Sequence, residues 1–148
     1  ELMMCTFGRT SGFEPYPRAG FNGHMVCLLN ETSASDGDIF PAMFRRAKLG
    51  PLIGKRSWGG IIGITNRGML LDGGTVNVPE FGNTEPGPEW TIEGYGVDPD
   101  IEIDNDLTSV LRGKDKQLEK AIEVLLDKIS MDPPVTPKAP PAPVKTGR

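Results

Sequence analysis

The sequence has 148 residues, 16 lysines and arginines against 20 aspartates and glutamates, and a formal net charge of −4. The basic residues are scattered, without the basic stripe and interleaved aromatics of a nucleic-acid groove, so nucleic acid is excluded as the expected partner. No apolar run approaches the roughly 18 residues of a membrane span, and no signal-like apolar region is visible, so no membrane partner is expected either.

Residues 1–23 carry glycine and proline throughout ("FGRTSGFEPYPRAGFNG") and read as irregular loop. The run "HMVCLLN", His24 to Asn30, is short and continuously apolar, as in a strand buried on both faces. A polar cluster follows, and "DIFPAMFRRAKLG" then takes helical spacing over residues 36–48. Ile39, Met43 and Ala47 share one face, Phe40 and Phe44 lie beside it, and Gly50 is the expected stop. Pro41 falls in the first turn, where its missing N–H costs nothing. "PLIGKR" predicts a second strand and "GGIIGIT" a third. "MLLDGGTVNVPEFG" predicts a hairpin turning at Asp72-Gly73-Gly74. Trp90 to Glu93 predicts a short extended piece before a loop at "GYGVDPD". Over residues 115–129, Leu118, Ala121, Ile122, Leu125 and Ile129 form the apolar stripe of an amphipathic helix packed on the core. From Asp132 onward, prolines at 133, 134, 137, 140, 141 and 143 break all periodicity and predict a flexible tail. The expected organisation is a folded part over residues 1–131 and a Pro-rich tail over residues 132–148, in the α/β class.

The segment "NETSASDGDIF", residues 30–40, lies between the first strand and the first helix. A serine on a tight strand-to-helix turn is pushed clear of the sheet. The first N–H groups of the helix and its dipole then face whatever that serine attacks. Ala34 and Gly37 are small enough to let a substrate backbone approach. The simpler reading is that Ser35 or Asp36 only caps the helix, and from the local pattern it is the commoner one, since the G-x-S-x-G signature is absent. The single histidine, His24, is expected about 20 Å from Ser35 along the strand, too far for a base, and reads as an edge or surface residue. That histidine and two separated cysteines, Cys5 and Cys27, supply neither a zinc site nor a disulfide framework; the thiols read as reduced or buried. "GGIIG" lacks the Lys-Ser/Thr of a phosphate loop. No metal and no cofactor is expected.

"SASDGDIFP", "GKRSWGG" and "EGYGVDPDIE", in that order within residues 22–129, resemble the C-terminal half of tricorn-type serine peptidases, which belong with the C-terminal processing peptidases. The resemblance implies an incomplete catalytic subdomain of ClpP/crotonase type. In it Ser35 matches the nucleophile, the Asp36 N–H one oxyanion donor, and Glu93 the acid of a Ser-His-Ser-Glu tetrad, where it supports a second serine that orients the histidine. Processing peptidases use a Ser–Lys dyad instead. Their lysine position is Gly60 here, and Lys55 matches a non-catalytic column, so the tricorn type fits better.

The resemblance further implies that the base histidine, its serine partner and the second oxyanion donor lie upstream of this chain, next to a PDZ-like segment. The chain alone is then expected to be inactive. The intact protein is expected to hydrolyse oligopeptides through an acyl-enzyme. Homo-oligomerisation and a cytoplasmic location are expected by analogy, with export left open. "DGDIFP" suggests either a preference for basic peptides or, at Asp38, a solvated first-turn acid. Two rival readings are a non-catalytic peptide-binding or assembly module and a crotonase-like acyl-CoA enzyme on the same fold; "SASDG" and the lack of an evident CoA patch argue against the latter.

Overall fold

The computed structural model describes residues 4–8 and 12–141, in two compact units, Met25–Leu126 and Glu1–His24 with Asp127–Arg148. In the larger unit, β1 (Cys27–Leu29), β2 (Leu52–Gly54) and β3 (Ile101–Glu102) form a parallel sheet in the order β1-β2-β3. Cys27 pairs with Leu52 and Ile53 with Ile101. Parallel neighbours need a crossover, and the helix α1 (Asp36–Arg46) supplies it between β1 and β2.

The strand expected over residues 24–30 is ordered as sheet only at Cys27–Leu29, where Cys27 and Leu29 face inward and Leu28 faces out. The core is built from Cys27, Leu29, Ala42, Phe44, Leu52, Ile61, Ile92 and Val97. Burial pushes the Cys27 thiol above its ordinary pKa, because the thiolate would be desolvated.

The helix α1 differs from expectation in two ways. Its buried face runs through Asp38, Pro41 and Ala42, with Phe44, while Met43 and Phe40 are exposed. It also ends at Arg46, two residues short of the expected span, and Gly50 is not what ends it. Lys48 takes a φ of 53°, the Lys48 N–H donates to Arg45 O, and the Leu49 N–H donates to Phe44 O. These are the two bonds of a Schellman ending, with lysine in the usual glycine place. Gly50 serves packing instead, since a Cβ there would lie 1.8 Å from the Met25 carbonyl oxygen.

The third strand and the hairpin merge. A single antiparallel pair, β4 (Gly63–Met69) and β5 (Thr75–Phe81), turns at the expected Asp72-Gly73-Gly74, where the Gly74 N–H donates to Asp72 Oδ1. Residues 59–62, placed in a strand by their sequence, are in none. Trp90 to Glu93 is in no strand either; the chain turns from Ile92, with the Tyr95 and Gly96 N–H groups both donating to Ile92 O.

A short helix that the sequence reading did not anticipate, α2 (Leu107–Leu111), is capped by Asp106, whose side chain accepts the Ser109 N–H. The last helix, α3 (Lys116–Met131), begins one residue after the predicted start and runs two residues past the predicted end. Its buried residues are Gln117 and Ala121, whereas Leu118, Ile122 and Ile129 of the predicted stripe are exposed. The stripe therefore does not pack on the core as expected. Among the described residues no helix is long and apolar enough to cross a membrane.

In the smaller unit, the N-terminal stretch read as loop contains a hairpin, Met4–Gly8 paired with Gly12–Tyr16. The Phe7 and Phe13 rings pack across it in a tilted arrangement, 5.9 Å between centroids. Pro15 is tolerated because a two-stranded sheet has only edges. His24 Nε2 lies 2.6 Å from the Asp132 carbonyl oxygen, and Asn22 Nδ2 donates to Val135 O. Residues 132–141 form no regular element beyond that point; the remainder of the predicted tail, 142–148, lies outside the described residues, as do 1–3 and 9–11.

Candidate active site

Ser35 sits where β1 gives way to α1, and its backbone is at φ 56°, ψ −113°. Left-handed φ is costly for a residue with a Cβ, about 1–3 kcal/mol, and persists only where the surroundings over-determine it. Here they do. The Ser35 N–H donates to Gly60 O at 3.1 Å, its carbonyl accepts the Asp38 and Ile39 N–H groups, and the preceding Ser33 carbonyl accepts the Trp58 N–H at 2.9 Å. Asn30 fixes the entry to the turn, donating its N–H to Ser33 Oγ and accepting the Thr32 N–H and hydroxyl on Oδ1.

Ser35 occupies the N-cap position, yet its hydroxyl makes no capping hydrogen bond and the residue is exposed. The capping explanation for Ser35 therefore fails. Among the described residues no acceptor meets the Asp36 N–H, the first amide of α1. A free hydroxyl and a free amide thus adjoin at the start of an 11-residue helix whose dipole favours negative charge there.

Asp38 is neither a solvated acid nor a surface feature for basic peptides. It is fully buried, its Oδ1 accepts the Gly59 N–H at 2.7 Å and its Oδ2 the Gly60 N–H at 3.2 Å. Glu93, half-buried on the turn after Ile92, continues the same pattern. Its Oε2 accepts the Ile61 N–H at 2.7 Å and the Ile62 N–H at 3.0 Å. Four successive amides, 59 to 62, thus end on two carboxylates. The carbonyls of this segment are used as well: Gly59 O accepts the Gly94 N–H, Gly60 O the Ser35 N–H, and Ile61 O the Asn83 side-chain amide. Ser35 and Glu93, far apart in sequence, are therefore tied to one stretch of backbone.

The loop carrying Glu93 is clamped from its far side. The Ser57 N–H donates to Val97 O, and the buried Ser57 hydroxyl accepts the Val97 N–H at 2.8 Å. Arg56 stacks on the Tyr95 ring at 4.1 Å and donates to Asp98 Oδ1, while the Tyr95 hydroxyl donates to Asp98 Oδ2. The Arg56 bond first, and the Tyr95 bond second, hold the Asp98 carboxyl below its usual pKa. Lys55 is engaged with Glu102 at 2.7 Å, and Gly60 is part of the bridging segment.

An apolar cavity of about 210 Å³ opens beside α1, lined by Ile39, Met43, Ile61, Asn83 and Ile92. Ile39 stands one helical turn after Ser35. The sequence reading missed the buried role of Asp38, the part played by Asn30 and the 59–62 bridge. A Gly-Gly pair inside an apolar run, which suits a strand poorly, was the available signal for the bridge.

The sequence matches the family described as Peptidase family S41 over residues 7–103. It is 40% identical over 121 residues to the tricorn protease of Thermoplasma acidophilum, covering 82% of this chain and 11% of that protein. It is 44% identical over 122 residues to a putative tricorn-like protease C-terminal subunit of Sulfurisphaera tokodaii, covering 82% of this chain and 14% of the relative. The structure superposes on a crystal structure of the tricorn protease with a TM-score of 0.81 at 38% identity, over 88% of this chain and 13% of the other. The chain therefore spans between a tenth and a seventh of the length of the tricorn relatives it matches.

Proposed function

The chain belongs to peptidase family S41, with tricorn proteases among its relatives, and on that premise we propose that it carries the nucleophile of a tricorn-type serine peptidase on a ClpP/crotonase-like subdomain. The observation that carries this reading is Ser35: an exposed, uncapped hydroxyl on a strained left-handed turn at a helix start. Such strain is retained where it presents a side chain for chemistry.

In this mechanism Ser35 Oγ attacks the scissile carbonyl carbon as a base takes its proton. The developing oxyanion accepts the Asp36 N–H, and the helix dipole lowers its energy. The amine leaves with a proton returned by the same base, and water then cleaves the ester. The only histidine of the sequence, His24, has its Nε2 at the Asp132 carbonyl. The resemblance to tricorn-type peptidases supports a base histidine outside this chain, along with the second oxyanion donor. Glu93 keeps Oε1 for the hydroxyl that orients that histidine, while Oε2 is committed to Ile61 and Ile62. The cavity beside α1 suits an apolar substrate side chain. Peptides are the substrates, and the chain works within a larger assembly that completes the site.

A fluorophosphonate probe tests the reading. In the complete peptidase it labels Ser35, and Ser35→Ala abolishes labelling and peptide hydrolysis together. Labelling at a different serine would overturn the assignment.

A further inference from the structure

Asp38 lies one turn into α1, three residues beyond Ser35, and its side chain is completely buried. An acid that merely favours the helix dipole stays in water, because desolvating a carboxylate is expensive. This one is buried with its two oxygens on two successive main-chain amides, Gly59 and Gly60. The same stretch of backbone grips the serine turn on both sides: the Trp58 N–H donates to Ser33 O, and Gly60 O accepts the Ser35 N–H. Residues 33, 35 and 38 of one segment are thus stitched to residues 58, 59 and 60 of the other. The second segment cannot slide away from Asp38 on its far side, because Gly59 is at φ 83° and packs so closely on the Tyr95–Gly96 backbone that a Cβ would lie 2.5 Å from Gly96 N.

We propose that Asp38 is a positioning residue for the reaction: by anchoring the amides of Gly59 and Gly60, its buried carboxylate holds the Gly60 carbonyl where it fixes the Ser35 amide, and so keeps the serine in its attacking conformation. The inference rests on the reading of Ser35 as the nucleophile. Asp38 never touches substrate. Its effect passes through the bridge, which Glu93 holds from the other end by the amides of Ile61 and Ile62. Loss of the Asp38 anchor frees the Ser35 end of the bridge. A misplacement of about 1 Å at a reacting atom can lower a rate on the order of 10²-fold.

The test uses the complete peptidase with Asp38→Asn, which keeps the shape but turns an amide nitrogen toward a backbone N–H. The expected result is a fall of roughly 10- to 100-fold in kcat and, in parallel, in the rate of Ser35 phosphonylation by a fluorophosphonate, with KM within about twofold. Unfolding midpoint and circular dichroism establish that the variant is folded. A folded Asp38→Asn enzyme with wild-type kcat and labelling rate, or one whose loss lies wholly in KM, overturns the inference. Should Asp38→Asn fail to fold, hydrogen exchange of the wild-type protein decides: the Gly59 and Gly60 amides are expected to be strongly protected, and exchange at free-peptide rates overturns the proposal. Ser35→Ala separates the two levels. Retained labelling and turnover in Ser35→Ala bring down the nucleophile itself, whereas a dead Ser35→Ala beside an unaffected Asp38→Asn brings down the positioning role alone.

Discussion

Replacing Glu93 separates its structural work from its chemistry. Its Oε2 accepts two amides, of which that of Ile61 belongs to a residue only 2% exposed, while Ile62 is 40% exposed. A buried donor left without an acceptor costs about 1–3 kcal/mol. The Ile62 N–H can turn to water, so its loss costs nearer 0.5–1 kcal/mol. Glu93→Ala is therefore expected to lower stability by about 1.5–4 kcal/mol. Glu93→Gln keeps an oxygen at the same reach and is expected to cost about 1 kcal/mol, the difference between a charge-assisted and a neutral bond. Urea unfolding followed by tryptophan fluorescence measures both. In the complete peptidase, Glu93→Gln is expected to lower kcat by at least tenfold despite its near-native stability, because the orienting bond to the partner hydroxyl loses its charge. Equal stabilities for the Ala and Gln variants would refute the bridging role, and a fully active Glu93→Gln would refute the catalytic one.

Three further outcomes follow from the geometry. Ser35→Gly relieves about 1–3 kcal/mol of backbone strain and loses about 0.5–1 kcal/mol to the freer unfolded chain, so thermal denaturation should show it more stable by about 1 kcal/mol while hydrolysis is abolished; a destabilised variant would contradict the strain argument. Gly50→Ala places a Cβ 1.8 Å from the Met25 carbonyl oxygen and is expected to destabilise by about 2–3 kcal/mol, with unchanged stability counting against that close approach. The Asp106 carboxyl is held well below the usual range by Lys116 and then by Ser109, and that of Asp98 by Arg56 and then Tyr95. The folded protein thus binds fewer protons than the unfolded chain at these sites. Their stabilisation is complete above about pH 5 and is lost as the pH falls further, so Asp106→Asn should flatten the acid limb of a stability–pH curve.

The elements legible in the sequence were those whose pattern is local. α1, the hairpin turn at Asp72-Gly73-Gly74 and α3 each carry their periodicity or turn chemistry within a dozen residues. Ser35 was placed on a strand-to-helix turn, and it stands on one. The failures share a different cause. Residues 59–62 look like a strand because they alternate with nothing polar, but their amides are claimed by acids 21 and 32 residues away. Asp38 looked like a surface acid because first-turn acids usually are. Neither the partners nor the burial can be read from neighbours in the chain. The N-terminal hairpin was hidden by Pro15, which argues against a central strand but not against an edge.

The bridging segment also explains why two acids are spent on main-chain amides at all. A β-ladder would satisfy residues 59–62 only in an extended conformation, and Gly59, at φ 83°, does not take one. Satisfying these amides from side chains leaves the backbone free to bend between the serine turn and the Glu93 loop. It also fixes each acid rigidly, since a carboxylate gripped by two amides has little freedom left. The two acids differ in what remains to them. Asp38 has both oxygens committed and is sealed from water, so it can only hold structure. Glu93 commits one oxygen and, being half-buried, retains the other. The division between a positioning acid and an acting one is therefore set by how many oxygens the bridge consumes.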